Sequence, residues 1–193
     1  DGMEIESLPA EGGIPRAQIT TEHYRIYLEK YDPEDTGRLM EAAYRAWAVF
    51  FGREPHRTAA PAPGKEAKPA PRLVVKGYAT PQSYQAGGRK DGTPAPTGAP
   101  NMGMYWTGTS IAHFYAPSGK DAMRYMILHE AGHQYHYIAM TGNGGATAGW
   151  YIEGLAIWSG SSSWDGHTFT LGGGVKPGPL KAPARALSQI TSD

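Results

Sequence analysis

The side chains best suited to chemistry are the two histidines and the glutamate of His129-Glu130-Ala131-Gly132-His133. Two histidines four residues apart lie on the same face of a helix, one turn from each other, so both imidazoles can reach one metal ion. Glu130 is displaced around the helix, where its carboxylate can meet a metal-bound water without binding the metal itself. The spacing therefore predicts His129 and His133 as ligands of a hydrolytic metal site and Glu130 as its general base.

Glu153 is well placed in the sequence to supply a third ligand. It lies in an apolar stretch, which predicts burial, and a buried glutamate is costly unless it is paired or bound to a metal. Two histidines, one glutamate and an open fourth position form a catalytic zinc site, whereas structural zinc sites have four protein ligands. The expected chemistry is hydrolysis of a peptide bond or a similar amide. The alternative is that both histidines are ordinary core or surface residues.

The composition excludes several other classes of protein. A chain of 193 residues is long enough for one sizeable core and short for two. The 18 Lys and Arg residues balance the 18 Asp and Glu residues, which argues against nucleic acid as a partner. No apolar run approaches the roughly 20 residues that span a bilayer, so we expect no transmembrane segment. The absence of cysteine excludes disulfides, cysteine-ligated zinc and thiol catalysis.

Hydrophobic periodicity and end signals predict the regular elements. Asp32-Pro33 is a helix start and Gly52 a stop, while 118–121 has the spacing of a capping box. The small Ala131-Gly132 pair predicts a point of close approach by another segment on the helix that carries His129 and His133. The predicted elements are a strand at 23–28, a long helix at 33–51, a strand at 72–79, a hairpin of 102–106 and 111–115, and helices at 118–140 and 149–159. This order predicts an α+β fold with a small mixed sheet, rather than regular βαβ alternation.

The remaining segments are rich in Gly and Pro or lack periodicity. Residues 1–20 are expected to form a flexible lead-in, and 55–71 and 86–101 to form loops. Residues 161–193 are a Gly/Ser/Pro-rich C-terminal segment with one short helical candidate at 182–190. The predicted domain therefore covers 21–160, and the C-terminal segment is interpreted as a truncated remainder of it.

His129–His133, together with Glu153 in Glu153-Gly154-Leu155-Ala156, resembles the gluzincin branch of zinc metallopeptidases. The closest similarity is to the peptidase-MA-like family of bacterial exported proteins; it extends loosely over 20–160, with its specific residues confined to 129–156. The resemblance implies a zincin-like fold and Zn²⁺ held by the two histidines and Glu153. It also implies Glu130 as the base and a peptide, protein or glycopeptide substrate. Because the chain has neither an initiator Met nor an apolar leader, we expect a secreted or periplasmic protein with its targeting segment removed.

The chain departs from related branches at defined positions. Metzincins carry Gly three residues and His six residues after the second histidine, where this chain has His136 and Ala139. Some gluzincins carry Asp four residues after the ligand Glu, where this chain has Ile157, so the hydrogen-bond partner of a ligating histidine stays unidentified. The His-Glu-x-Gly-His form is also similar to mucin-directed glycopeptidases, which leaves the substrate class open.

The sequence does not identify the oxyanion donor or the residues that would contact the substrate. An oxyanion donor is expected, and its candidates are Tyr105, His113, Tyr115, Tyr151 and His167. His136 lies nearly on the same helix face as His129 and is expected to pack or be solvated at the helix end, with contact to substrate as the alternative. The resemblance to zincins further implies that the 102–115 hairpin offers an edge strand to an extended substrate; the alternative is that its aromatic residues are sheet core. In gluzincins a further helical part of the cleft usually follows the ligand Glu, whereas here only about forty residues, many of them Gly, Pro or Ser, follow Glu153. The resemblance therefore leaves an alternative function, a catalytically weak or inactive zincin-like module that binds a glycopeptide or a cell-surface ligand. A metal-free structural protein is the third possibility.

Overall fold

The computed structural model describes residues 2–56, 70–94, 102–116, 119–144 and 147–173. In these residues the chain forms helices on both faces of a mixed sheet, so the predicted α+β class is confirmed. The strands are β1 (Glu4–Glu11), β2 (Ile14–Thr20), β3 (Tyr24–Leu28), β4 (Leu73–Tyr78), β5 (Gly103–Trp106), β6 (Ile111–Tyr115), β7 (Ser163–Trp164) and β8 (Phe169–Thr170). The helices are α1 (Pro33–Phe51), α2 (Pro81–Lys90), α3 (Lys120–His136) and α4 (Gly149–Gly160), and a π-helical turn, Tyr137–Thr141, continues α3.

The main sheet has six strands in the order β1-β2-β3-β4-β6-β5. β4 lies in its middle and pairs in parallel with β3 and β6, while the other three pairings are antiparallel. β5 is an edge strand that pairs only with β6 in the described part of the chain. Because β5 packs beside α3, one edge of the sheet runs along the helix that carries the predicted metal ligands.

The main core lies between the sheet and the helices α1 and α3. Trp47 of α1, Tyr24 of β3, Phe114 of β6 and Tyr135 of α3 are among its largest fully buried side chains. Strand alternation places Lys76 and Tyr78 of β4 and His113 and Tyr115 of β6 on the other face, which α2 covers. β4 and β6 are therefore covered on both faces, and the predicted metal site lies on the face that α3 covers.

Helix α1 begins and ends where the sequence predicts. The Asp32 carboxylate accepts hydrogen bonds from the backbone N–H groups of Glu34 and Asp35, and Pro33 occupies the first turn. Gly52 ends the helix in the left-handed conformation with φ +63°. These local signals act within a few residues, which explains why the sequence alone was sufficient here.

The prediction of a flexible lead-in at 1–20 is wrong for residues 4–20. β1 and β2 form a hairpin through Gly12 and Gly13, which both have positive φ, and β2 pairs with β3. β1 is exposed on both faces, so it carries no alternating pattern, and only Ile19 of β2 is fully buried. The two strands therefore form because they pair with the sheet, and the periodicity of the sequence does not predict this pairing. The division into a domain at 21–160 and its flanking segments stays a prediction.

The predicted loop at 86–101 is also wrong at its start, because α2 extends to Lys90. Gly87 and Gly88 suggested a loop, yet the helix begins with a capping box in which Thr80 and Ser83 exchange hydrogen bonds. A Cβ atom at Gly87 would overlap the ring of Tyr78, so this glycine permits the close approach of α2 to β4. Tertiary packing thus overrides the low helix propensity of glycine.

Some predictions concern residues that the structure does not describe. Ser118 of the predicted capping box, most of 55–71 and the helical candidate at 182–190 lie outside the described residues. α3 itself begins at Lys120, directly after Gly119, with no side-chain cap. No helix within the described ranges has both the length and the apolar character needed to cross a membrane.

The packing of α2 predicts opposite effects for two adjacent glycines. Gly87→Ala should destabilise the fold by about 1–3 kcal/mol, because the Tyr78 ring is buried and its hydroxyl lies 3.1 Å from His113 Nδ1, so it cannot move aside. Gly88→Ala is the matched control: its Cβ would only touch Thr93 at 3.9 Å, and it should stabilise the helix by up to about 1 kcal/mol. Urea unfolding curves measure both. Equal effects of the two substitutions would contradict the proposed contact.

Candidate metal centre

The predicted ligand residues come together because α4 packs closely against α3. Gly132 permits this contact, since a Cβ atom there would lie 2.9 Å from Ser159 Oγ and 3.0 Å from Ser159 Cβ. Ser159 in turn donates a hydrogen bond of 2.9 Å to the backbone oxygen of Leu128. The predicted close approach at Gly132 is thus confirmed, and it brings the Glu153 side of α4 opposite the histidines of α3.

The three predicted ligands face one another. Nε2 of His129 lies 3.6 Å from one carboxylate oxygen of Glu153, and Nε2 of His133 lies 3.5 Å from the other. The two imidazole rings are nearly perpendicular, with centroids 4.9 Å apart. One ligand atom from each residue can be chosen so that all lie within 4.8 Å of one another. The structure therefore brings together His129, His133 and Glu153 as one group.

The spacing and chemistry of this group fit a zinc ion. Two ligand atoms bound at 2.0–2.1 Å to a tetrahedral ion lie about 3.4 Å apart, close to the two nitrogen–oxygen distances. The same distances are longer than those of good hydrogen bonds, so the carboxylate and the two imidazoles face one another without a short hydrogen bond between them. Two imidazole nitrogens and one carboxylate are donors that zinc accepts readily. All three residues line an open cleft, so a zinc ion held by them would have a position left for a water or a substrate.

The burial argument for Glu153 is wrong. The Glu153 side chain is 60% exposed, and Trp150, one turn earlier on α4, is 80% exposed. An apolar stretch predicted a buried helix, but α4 buries only part of its surface against α3. What supports Glu153 as a ligand is its position opposite the two imidazoles rather than desolvation.

Glu130 lies in a tight space between α3 and the edge strand β5. It is 4% exposed, and its carboxylate accepts a hydrogen bond from the backbone N–H of Tyr105. A Cβ atom at Gly103 would lie 2.6 Å from Cγ and 2.7 Å from Cδ of Glu130, so only glycine fits at that point of β5. The sequence did not identify Gly103, because nothing in the spacing showed that β5 would pass this close to the helix.

The two carboxylates have opposite electrostatic environments. Burial, and then the charge of Glu153, raises the pKa of Glu130 to about 8, and the Tyr105 hydrogen bond only partly offsets this. Contact with His129, and then with His133, lowers the pKa of Glu153 well below its usual range. Glu153 is therefore an anion suited to hold a cation, whereas Glu130 holds a proton at neutral pH without one. A cation beside Glu130 would lower its pKa again.

An open cleft of about 400 Å³ surrounds these residues. Its lining consists of Gly103, Met104, Tyr105, His129, Glu130, His133, Tyr137, Ile152 and Glu153. Tyr137 was missed from the sequence, although its position four residues after His133 is a signal that could have found it, because that spacing repeats on one helix face. Edge strand β5 forms one wall of the cleft, α3 with the π-helical turn forms its floor, and α4 forms the other wall.

Of the five predicted oxyanion donors, only Tyr105 lines the cleft. Its hydroxyl already donates a 2.5 Å hydrogen bond to Oδ1 of Asn143. His113 and Tyr115 lie on the opposite face of the sheet, where burial lowers the pKa of His113 to about 4. Tyr151 packs edge-on against His136, and His167 lies in the turn between β7 and β8. The sequence named too many candidates because it could not tell which sheet face, helix or turn brings each one to the cleft or away from it.

In the described part of the chain, His136 and His23 also lie among aromatic or acidic groups, and one ring nitrogen of His129 is unpartnered. His136 is 5% exposed and packs among the rings of Phe51, Tyr137 and Tyr151, as expected. Nδ1 of His129 is buried without a hydrogen-bond partner among the described residues, so the residue that would orient this ring is still unidentified. A second acidic group, Glu22 and Glu41 around His23, is already satisfied by the 2.8 Å contact of His23 Nδ1 with Glu41. It joins β3 to α1.

The raised pKa of Glu130 predicts a stability gain for Glu130→Gln in chelator-treated protein. Below about pH 4 the carboxyl is protonated in the folded and unfolded chains alike, so it contributes no pH dependence. Between about pH 4 and pH 8 the unfolded chain loses the proton while the folded chain keeps it, so wild-type stability falls relative to the glutamine variant. The variant should be about 1–3 kcal/mol more stable at pH 8 and nearly equal at pH 4, measured by denaturant unfolding.

Glu153→Gln is the matched control for this experiment. The pKa of Glu153 is lowered rather than raised, so its ionised form favours folding and the variant should not gain stability at pH 8. A Glu130→Gln variant whose stability difference does not grow with pH would contradict a buried, protonated Glu130.

Comparison with known proteins identifies no relative: no family model, no curated protein and no solved structure matches this chain. The resemblance to gluzincins therefore stays a prediction that depends on residues 129–156. The geometry of His129, Glu130, His133 and Glu153 is the observation on which a function can be argued.

Proposed function

We propose that this protein is a zinc-dependent metallohydrolase that cleaves peptide bonds. The observation that carries the proposal is the convergence of His129, His133 and Glu153 at distances suited to one tetrahedral ion, beside an open cleft. We further propose that the fold is zincin-like, with α3 carrying two ligands and α4 the third. The mixed sheet with its antiparallel edge strand β5 beside α3 supports this assignment.

His129, His133 and Glu153 would hold the zinc. Bound zinc would lower the pKa of a water to about 7 and polarise the substrate carbonyl. Glu130, adjacent to the ligands on α3, would accept a proton from that water and deliver it to the leaving amine. Its raised pKa in the metal-free protein fits this role, because a cation nearby would make it a base near neutral pH.

Edge strand β5 would support an extended substrate. The Tyr115 backbone N–H donates a hydrogen bond to the Met102 backbone oxygen. Because successive residues of an antiparallel strand alternate in direction, the backbone groups of Gly103 and Tyr105 point away from β6, toward the cleft side. Both residues line the cleft. A peptide that lies along β5 would run beside this edge, where the Tyr105 N–H is already held by Glu130 and the backbone oxygen of the same residue would be left to pair with substrate. This favours a peptide or protein substrate, and a glycopeptide fits the same geometry.

The second candidate is a zincin-like module that binds a glycopeptide or a cell-surface ligand with weak or no catalysis. One observation favours it: Glu130 is almost fully buried and hydrogen-bonded to β5, which restrains a base that must reach a water. This module would bind zinc in the same way, so metal content alone does not distinguish it from the enzyme. Turnover does.

Metal analysis and turnover test the proposal together. After expression with added zinc, the purified protein should hold about one equivalent, and His133→Ala should hold almost none, because two ligands rarely retain zinc. Glu130→Gln should keep the zinc but hydrolyse a panel of peptides and glycopeptides at least about 100-fold more slowly. His167→Ala is the matched histidine control and should match the wild type in both measurements.

Three outcomes separate the alternatives. Less than about half an equivalent of zinc in the wild type would contradict the metal site. A full equivalent without hydrolysis of any peptide would favour the binding module. Undiminished hydrolysis by Glu130→Gln would contradict the role of Glu130 as base.

Tyr137 is the cleft tyrosine best placed to stabilise a developing oxyanion, because the Tyr105 hydroxyl is engaged by Asn143. Tyr137→Phe should lower kcat about 10- to 100-fold and leave zinc content unchanged. Tyr151→Phe is the control, since Tyr151 packs on His136 and does not line the cleft. Steady-state kinetics on the best peptide of the panel measure both; equal effects would remove Tyr137 from the mechanism.

A further inference from the structure

Two residues with unusual backbone conformations meet beside the cleft. Asn143, which follows the π-helical turn, has φ +62°, and Ser110, in the turn between β5 and β6, has φ +57°. Residues other than glycine rarely adopt this conformation, and such residues cluster at functional sites. The Asn143 side-chain amide donates a 2.6 Å hydrogen bond to the Ser110 hydroxyl. This contact links the end of the ligand helix to the turn of the hairpin.

Asn143 also holds Tyr105. The Tyr105 hydroxyl donates a 2.5 Å hydrogen bond to Oδ1 of Asn143, while the Tyr105 backbone N–H donates to Glu130. A single residue of β5 therefore connects the Asn143 side chain to the carboxylate of the proposed base. The backbone N–H of Asn143 donates in turn to the Tyr137 backbone oxygen at 3.0 Å, which fixes Asn143 relative to the ligand helix.

A second tie restrains the same turn. Gln134, the residue after His133, is fully buried and donates 2.9 Å hydrogen bonds to the backbone oxygens of Ser110 and Val74. Ser110 is thus held at its carbonyl by Gln134 and at its hydroxyl by Asn143. Gln134 and Asn143 therefore join the hairpin turn to the ligand helix at two points. Of these two residues, Asn143 also bonds the side chain of Tyr105, which belongs to β5 in the wall of the cleft.

We propose that Asn143 is a positioning residue for the reaction: through Tyr105 it holds edge strand β5 against α3, and so fixes Glu130 and the strand along which substrate lies. This inference rests on the proposed function. Asn143 itself contacts neither the metal ligands nor Glu130 in any hydrogen bond described above, so its effect is transmitted by Tyr105. Misplacing a catalytic group by about 1 Å can cost on the order of 100-fold in rate.

Asn143→Gly tests the proposal, because glycine keeps the left-handed backbone and removes only the side chain. We expect kcat to fall about 10-fold or more, while the dissociation constant for zinc changes by less than about 3-fold. We also expect the backbone amide of Tyr105 to exchange with solvent about 10-fold faster or more in NMR measurements, since β5 loses a restraint.

Two further variants separate positioning from general stability. Asn143→Asp still accepts the Tyr105 hydrogen bond and tolerates the same backbone, so it should recover much of the lost kcat. Tyr105→Phe breaks the link from the other side, and the double variant with Asn143→Gly should be no slower than the slower single variant. Thr141→Ala is the control: its hydroxyl bonds the Tyr137 backbone oxygen at 2.7 Å in the same turn but does not reach Tyr105.

The outcomes distinguish this inference from the proposed function. Unchanged exchange of the Tyr105 amide in Asn143→Gly would overturn it, whether or not the wild type hydrolyses peptides. Unchanged kcat in that variant, or fully additive effects of Asn143→Gly and Tyr105→Phe, would also overturn it. A wild type that hydrolyses nothing would contradict the proposed function, while faster Tyr105 exchange would still support the restraint by Asn143.

Discussion

The arrangement of the cleft depends on the contact between a buried carboxylate and a strand that has no side chain at the point of contact. Glu130 is enclosed by α3 and β5. Its carboxylate fits there because Gly103 has no side chain, and a Cβ atom at that position would overlap it. Burying an ionisable group is costly unless it keeps a proton or gains a partner. Here the Tyr105 backbone N–H supplies one partner. Burial also raises the pKa of Glu130, so the carboxyl group keeps its proton at neutral pH in the absence of a cation.

This contact requires that a helix and a sheet edge be held at a fixed separation. Gln134 and Asn143 provide that restraint with hydrogen bonds to the backbone and side chain of the hairpin turn. The aromatic core between α1, α3 and the sheet supplies the rigid support behind them, with Trp47 and Tyr135 in contact at its centre. Gln134 is fully buried, so breaking either of its hydrogen bonds would leave an unpaired group inside the protein, which favours this one arrangement.

The two glutamates of the site illustrate how environment separates chemically identical groups. Glu153 is largely exposed and faces two imidazoles, so it is held in its anionic form. Glu130, one residue from His129 in the chain, is buried and is held in its neutral form. Pairs of carboxylates with opposed pKa shifts are typical of sites where one group binds a cation and the other transfers a proton.

The sequence by itself determined the elements whose signals are local. The cap of Asp32, the stop at Gly52 and the spacing of His129 and His133 predict α1 and the ligand face of α3, because each acts within one or two helical turns. The α+β class and the hairpin of β5 and β6 followed from periodicity. Gly132 as a point of close approach was also predictable.

Only the tertiary structure decided the features that depend on distant segments. β1 and β2 form strands because β1 pairs with β2 and β2 pairs with β3, and α2 can lie close to β4 because Gly87 leaves room for the Tyr78 ring. The opposition of Glu153 to the histidines, and the passage of Gly103 and Tyr105 beside Glu130, depend on how α4 and β5 pack on α3. Residue types and spacing carry no information on these separations, because packing between non-adjacent elements sets them.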